Sequence, residues 1–330
     1  MAGKLQCHRH AICDDANCRE RRKEVRLQKT LVRPVEIRGV GLHSGREVTL
    51  VLRPAPENHG IVFHRSDLGS VYIPAHVRFV SRERSTLSTV LFDGQATVQT
   101  VEHLLSALSG LSVDNVIAEV DGAELPILDG SAKNVIEAIR TAGLCEQKKK
   151  QSFYRITRPE EFSSEGRFLS VAPSETFEVD YEIDFGGGLV QRAVFTLSEG
   201  VYDQEISRAK TFCFESDIQK MRSMGLAKGG SLSNALVMGK EALLNPEQQT
   251  YDDEFVRHKI LDFLGDMRLL DRPILGRFVV RRGGHAFHTD CLRALWESGN
   301  LALPLAPVPP ASASPAPRSR KGAPLSPVFH

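Results

Sequence analysis

The stretch YDDEFVRHKILDFLGD, residues 251 to 266, decides how the rest of the chain is read. At a helical period Val256, Ile260, Phe263, Leu264 and Met267 share one stripe, while His258, Lys259, Asp262 and Asp266 share the opposite side. The expectation is an amphipathic helix with one core face and one chemical face. His258 and Asp262 are four residues apart, so their side chains stand one turn above each other and can converge on one metal ion, with Asp266 a turn further on. An imidazole and a carboxylate are both ligands that zinc accepts, and a catalytic zinc keeps three protein ligands. The helix supplies two, so a third must come from elsewhere. A polar helix face by itself is more often just a solvated face, and the metal reading depends on finding that third group.

The chain has 330 residues, of which 41% are hydrophobic and 25% charged, values ordinary for a soluble globular protein with a sizeable core. With 42 Lys and Arg against 41 Asp and Glu the formal net charge is +1, so no global basic excess points to nucleic acid. Six scattered cysteines and an N-terminus, MAGKLQCHRHAICDD, without the apolar core of a secretory signal fit a reducing, cytoplasmic protein. No apolar run approaches a membrane span, so membrane contact is expected to be peripheral at most.

Both ends differ from the middle. Residues 1–28 form a basic head (Lys4, Arg9, Arg19, Arg21, Arg22, Lys23, Arg26), expected to be a disordered leader. Its Cys7, His8, His10, Cys13 and Cys18 invite a zinc reading but lack the paired short spacings of structural sites. Eight of the 17 prolines fall between Pro304 and Pro327, so residues 303–330 read as a disordered Pro/Ala-rich tail.

Between them the pattern runs twice. In residues 29–150, TLVRPVEIRGVGLH and REVTLVLRPA read as an antiparallel hairpin. A helix follows at Thr100–Leu111, with Val101, Leu104, Leu105 and Leu108 on one stripe, His103 facing the other way and Glu102 beside it. Then come a strand, DNVIAEVDG, and a second helix that Ser131 can cap and Gly143 can end. Residues 151–302 repeat the order: alternating strands across 169 to 197, the helix with His258, a strand GRFVVRRGG and a helix TDCLRALWES. Each central helix carries a histidine near its start. The expected fold is α+β: two similar halves, each a mixed sheet plus two helices with a small insert, packed face to face as a two-domain sandwich. An approximate twofold would bring His103 to His258 near the interface, where clefts form and where the third ligand could come from.

At this point six motifs, in order, resemble one family: TVEHLLSAL (100–108), LPILDGSA (125–132), SRAKTF (207–212), GGSL (229–232), DDEFVRHKILDFLGD (252–266) and GGHAF (283–287). They look like the zinc-dependent UDP-3-O-acyl-N-acetylglucosamine deacetylases, which commit Gram-negative bacteria to lipid A synthesis, and the resemblance runs from about Leu31 to Leu301. It implies a zinc held by His103, His258 and Asp262, with Glu102 as the general base and His285 as the cationic acid or oxyanion stabiliser, oriented by Asp266. It implies further that Thr211 hydrogen-bonds the developing oxyanion, that Lys259 is the cation beside the site, and that the acyl chain lies in a passage built by the second-half insert. Phe212, Ile218, Leu226, Gly230, Leu232 and Ala235 are the expected lining. One departure is Ser233, where the family's run resembles GGSLDNA.

The chemistry favours these roles independently. Amide hydrolysis needs a stronger electrophile and a stronger nucleophile than an amide and water provide, and zinc supplies both, although iron(II) could occupy the same ligands. Glu102 adjoins a ligand in sequence, so one helix turn carries base and metal together. His285 follows Gly283 and Gly284, expected to form a tight turn after a strand. The expected reaction is release of acetate from a 3-O-acylated UDP-N-acetylglucosamine by a monomer that takes a lipid-bearing nucleotide sugar and no nucleic acid. The rivals are a non-catalytic sensor of the same molecule, favoured if a ligand or Glu102 were missing, and a zinc amidase of the same fold acting on another acylated amine.

Overall fold

The computed structural model describes residues 26–69, 71–186 and 189–303. Almost all of the leader, including its cysteines and histidines, and the Pro-rich tail from residue 304 lie outside the described residues. The described chain begins slightly inside the leader: a strand at Leu27–Leu31 pairs antiparallel with Leu144–Lys150, and Arg26 grips Asp114 with two bonds of 2.5 and 2.7 Å.

The first half is a five-stranded sheet made of β1 (Val35–Val40), β2 (Glu47–Pro54), β3 (Ile61–Arg65), β4 (Val71–Pro74) and β5 (Val116–Val120). Their spatial order is β1-β2-β5-β3-β4, with β5 parallel to β3 and every other pairing antiparallel. The second half contains β6 (Glu160–Ser164), β7 (Arg167–Ala172), β8 (Phe177–Asp184), β9 (Val190–Thr196) and β10 (Ile274–Arg281). Here too the fifth strand is inserted third, parallel to the third and antiparallel to the second, giving β6-β7-β10-β8-β9. Two short strands, Tyr154–Ile156 and Leu301–Ala302, extend this sheet. Identical order and identical parallelism in two five-strand sets make the repeat a property of topology, more visible here than in residue identities.

Each half carries two helices in equivalent places. α1 (Glu102–Gly110) precedes β5 and α2 (Lys133–Ala142) follows it. After a short helix α3 (Glu215–Ser223) in the insert, α4 (Glu254–Met267) precedes β10 and α5 (His285–Glu297) follows it. Strand residues alternate as a one-sided sheet should: Val48, Leu50 and Leu52 point inward from β2, and Val179, Tyr181 and Ile183 from β8. These faces and the helices form one apolar core that runs through both halves. α4 lies against α1, α5, β8 and β9, at the centre of the molecule.

That position buries both faces of α4. Its polar side is as buried as its apolar side, and only Arg257 and Lys259 reach partial exposure. Burying carboxylates and imidazoles is costly unless each is paired, so the polar face must be satisfied internally or by a cation. Gly265 is where α4 meets α1: a Cβ there would lie 2.1 Å from the carbonyl oxygen of Glu102, so the helices touch backbone to backbone. Ser131 stands one residue before the N-cap of α2 and accepts from Lys133 N–H at 3.1 Å, while Gly143 ends the helix at φ 77°.

Candidate active site

The two central helices bring their histidines together as the repeat predicts. His103 and His258 meet edge to face with ring centroids 5.0 Å apart. Asp262 Oδ1 lies 3.5 Å from His103 Nε2 and 3.3 Å from His258 Nε2, and these three side chains are all buried. They could hold a metal ion, since their ligand atoms lie within 4.8 Å of one another. Asp262 Oδ1 has no hydrogen-bond partner although it is buried. A buried carboxylate oxygen facing two imidazole nitrogens, with no donor of its own, is a site that a cation would complete.

Neighbouring residues position these three candidate ligands. His258 Nδ1 lies 3.0 Å from Ala209 O, which fixes Nδ1 as the protonated nitrogen and turns the Nε2 lone pair toward Asp262. Burial pushes the His258 pKa down to about 3, so the ring is neutral, as a ligand must be. Burial alone would raise the Asp262 carboxyl, but the cationic Lys259 and His285 hold it well below the usual carboxylate range. Lys259 Nζ lies 2.5 Å from the other oxygen, Oδ2. The segment SRAKTF therefore has three tasks: Ala209 O orients His258, Lys210 N donates to the buried Glu254 at the start of α4, and Thr211 enters the cleft.

Glu102 stands beside the cluster with Oε2 accepting the Thr89 N–H at 3.0 Å, and burial raises its carboxyl above the ordinary value. His285 Nε2 lies 3.6 Å from Asp262 Oδ2 and 3.9 Å from Glu102 Oε1. Burial opposes charge on His285, but Asp266, Glu102 and Asp262 outweigh it and hold its pKa up to about 9. Its Nδ1 meets Asp266 Oδ2 at 3.0 Å. His285 opens α5 instead of sitting in a tight turn, so the helix begins four residues earlier than its apolar stripe indicated. Gly284 is extended, and the strained residue is Arg282 at φ 54°. Thr100, another non-glycine residue with positive φ, at 60°, immediately precedes the turn into α1 and Glu102.

The cluster opens into a cleft of about 680 Å³ lined by Glu102, His103, Thr211, Phe212, His258, Lys259, Asp262 and His285, with Asp266 behind His285. An adjoining passage of about 230 Å³ is lined by Phe212, Ile218, Gly230, Leu232 and Ala235, whereas Leu226 lies in the larger cleft. The insert supports this passage with Asn245, whose side chain bonds Leu232 O, Ala235 O and Val237 N. Ser233 pairs with the Ser231 hydroxyl at 2.8 Å.

Five residues of the site were missed. His43, in the hairpin turn, is buried with neither ring nitrogen hydrogen-bonded and lines both cleft and passage. Glu124 holds that turn by accepting the amides of His43 and Ser44 at 2.7 and 2.8 Å. GVGLHSG was visible in the sequence, but only as a turn. Thr89 bonds both Glu102 and Asp266 and carries no sequence signal at all. His288, one turn after His285, and Tyr181, on β8, stand behind Asp266; the i to i+3 spacing of the histidines was the available signal.

Residues 28–297 match the family model described as UDP-3-O-acyl N-acetylglycosamine deacetylase. The chain is 43% identical over 293 residues to the UDP-3-O-acyl-N-acetylglucosamine deacetylase of Acidithiobacillus ferrooxidans, covering 85% of this chain and 95% of that one. Proteins of the same name from an Anaeromyxobacter species and from Myxococcus xanthus are 42% and 43% identical; each alignment covers 81% of this chain, and 87% and 85% of the respective relative.

Proposed function

Because the chain belongs to the UDP-3-O-acyl-N-acetylglucosamine deacetylase family, we propose that its buried His103–His258–Asp262 cluster is the centre at which that family's reaction is carried out. The protein is a deacetylase of lipid A biosynthesis that acts on a lipid-linked UDP-sugar, hydrolysing the N-acetyl amide of the 3-O-acylated glucosamine and releasing acetate.

The observation that carries the site assignment is the orphaned, buried Asp262 Oδ1 facing the His103 and His258 imidazoles. Two histidines and one aspartate fit zinc with an open fourth position, and iron(II) accepts the same donors. Zinc bound there supplies a Lewis acid that brings water toward a pKa of about 7 and polarises the amide carbonyl. The residues around it divide the proton work. Glu102, with one oxygen tied to Thr89, keeps the other toward the cluster and takes the proton from the attacking water. Its raised pKa suits a base that must hold that proton. His285, protonated at neutral pH, lines the same cleft and protonates the departing amine or stabilises the oxyanion. Asp266 fixes its orientation, the Thr211 hydroxyl adds a donor to the oxyanion, and Lys259 supplies positive charge at the rim.

The acyl chain fits the apolar passage at Ile218, Gly230, Leu232 and Ala235, with Phe212 as the wall shared with His258. None of the described helices is long and apolar enough to cross a membrane. A monomer in the cytoplasm, touching the membrane peripherally to collect its substrate, is the matching cellular setting. The sensor alternative has no observation in its favour, since every ligand and Glu102 are in place. The test is Glu102→Gln: acetate release should fall about 10²- to 10⁴-fold while metal content is kept. Unchanged release would remove Glu102 from its role.

A further inference from the structure

Behind the acid His285 and its partner Asp266 the structure holds two buried polar side chains, His288 and Tyr181, that the reaction as described does not use. Asp266 Oδ2 is shared by two imidazoles, His285 Nδ1 at 3.0 Å and His288 Nδ1 at 2.9 Å. His288 Nε2 in turn meets the Tyr181 hydroxyl at 2.9 Å, and the Thr89 hydroxyl donates to Asp266 Oδ1 at 2.5 Å. Tyr181, Asp266 and His288 are fully enclosed. The backbone makes room for this arrangement: a Cβ on Gly283 would come within 2.4 Å of His288 Nε2 and 2.5 Å of Tyr181 Oη.

The donors and acceptors allow one self-consistent assignment. An ionised Asp266 only accepts, so both His285 and His288 present Nδ1–H to it, and Thr89 presents its O–H. With its proton on Nδ1, a neutral His288 can only accept at Nε2, and the Tyr181 O–H donates there. Tyr181 therefore selects the His288 tautomer, and His288 together with Thr89 holds both oxygens of Asp266. A carboxylate bonded to His285 alone would be free to turn about its Cβ–Cγ bond; three donors from two other segments, α5 and the stretch at Thr89, leave it one orientation.

We propose that His288 and Tyr181 are positioning residues for the deacetylation, acting through Asp266 to hold the His285 ring with Nε2 toward the metal cluster. This inference rests on the acid role assigned to His285. The simpler alternative is that the pair only clamps α5 to α4 and β8.

The experiment compares His288→Leu, His288→Asn, Tyr181→Phe and His285→Ala, each loaded with zinc, for kcat, KM, melting temperature and the downfield imidazole N–H proton resonances. We expect His288→Leu to lower kcat on the order of tenfold or more with little change in KM, and to shift or broaden the His285 N–H resonance. His288→Asn, whose amide can still donate to Asp266, should restore kcat to within about twofold even if its melting temperature stays low. Tyr181→Phe removes one hydroxyl without disturbing packing and should lower kcat about threefold or more, so the inference stays testable if His288→Leu does not fold. It is overturned if folded His288→Leu or Tyr181→Phe keeps wild-type kcat and an unchanged His285 resonance while His285→Ala is inactive. If His285→Ala also keeps its kcat, the acid role itself fails.

Discussion

At the residue scale, Asp262 is the most informative atom set in the protein. Its carboxylate is buried among groups that hold it ionised, yet the oxygen nearest both histidines has no donor. Replacing it with asparagine keeps the volume and removes the charge that attracts a cation. Asp262→Asn, purified and analysed for metal, should contain less than a tenth of the wild-type zinc and release acetate at least 10³-fold more slowly. Full zinc occupancy in that variant would contradict the ligand assignment. The His258–Asp262 pair was legible because helical spacing turns a four-residue interval into a shared direction. Thr89 was not, because a threonine that bonds two carboxylates reaches them only through tertiary structure: it comes 13 residues before Glu102 and 177 before Asp266.

At the element scale, α4 organises the molecule, and its sequence discloses this only in part. The apolar stripe was read correctly, but periodicity cannot distinguish a polar face turned to water from one turned to a buried site. The same limit moved the start of α5, where His285 lies before the apolar stripe begins. Gly265 was ambiguous in sequence and explicit in structure. Gly265→Ala drives a methyl carbon into the Glu102 carbonyl, separates α1 from α4, and should lower the denaturation free energy by about 2 to 3 kcal/mol in urea titrations. A neutral effect would mean the helices can part without loss. In the second sheet, Asp180 joins three strands, bonding Arg192 on β9 and Arg281 on β10. The Arg192 guanidinium, with Arg281 and against partial burial, holds its pKa at about 2. A carboxyl depressed from 3.8 contributes stability that is present above pH about 4 and lost as the pH falls through about 2. Asp180→Asn should lower stability at pH 7 by about 1 to 2 kcal/mol, discounted because Arg192 is half exposed. It should also flatten the pH dependence between 4 and 2; an equally steep acid limb in the variant would assign that limb to other carboxylates.

At the scale of the whole molecule, one topology used twice places the chemistry on a seam. Each half gives a central helix to the interface, and the proposed metal site takes His103 from one and His258 and Asp262 from the other. The repeated order of strands and helices was legible from alternation and spacing, as was the meeting of the two histidines. The strand order, with the fifth strand inserted between the second and third, was not, because long-range pairing leaves no local pattern. A cation bound across the seam also ties the halves together, so stripping it should lower the melting temperature and restoring zinc should recover it, by RT ln(1 + [zinc]/Kd) in free energy. The most direct measurement is acetate release from 3-O-acyl-UDP-N-acetylglucosamine by purified protein, assayed with metal, after chelation and after zinc is returned. The account predicts release that disappears with the metal, returns with zinc, and falls by orders of magnitude in Glu102→Gln. Metal-loaded protein that binds this substrate and releases no acetate, or that releases it equally well after complete chelation, would contradict it.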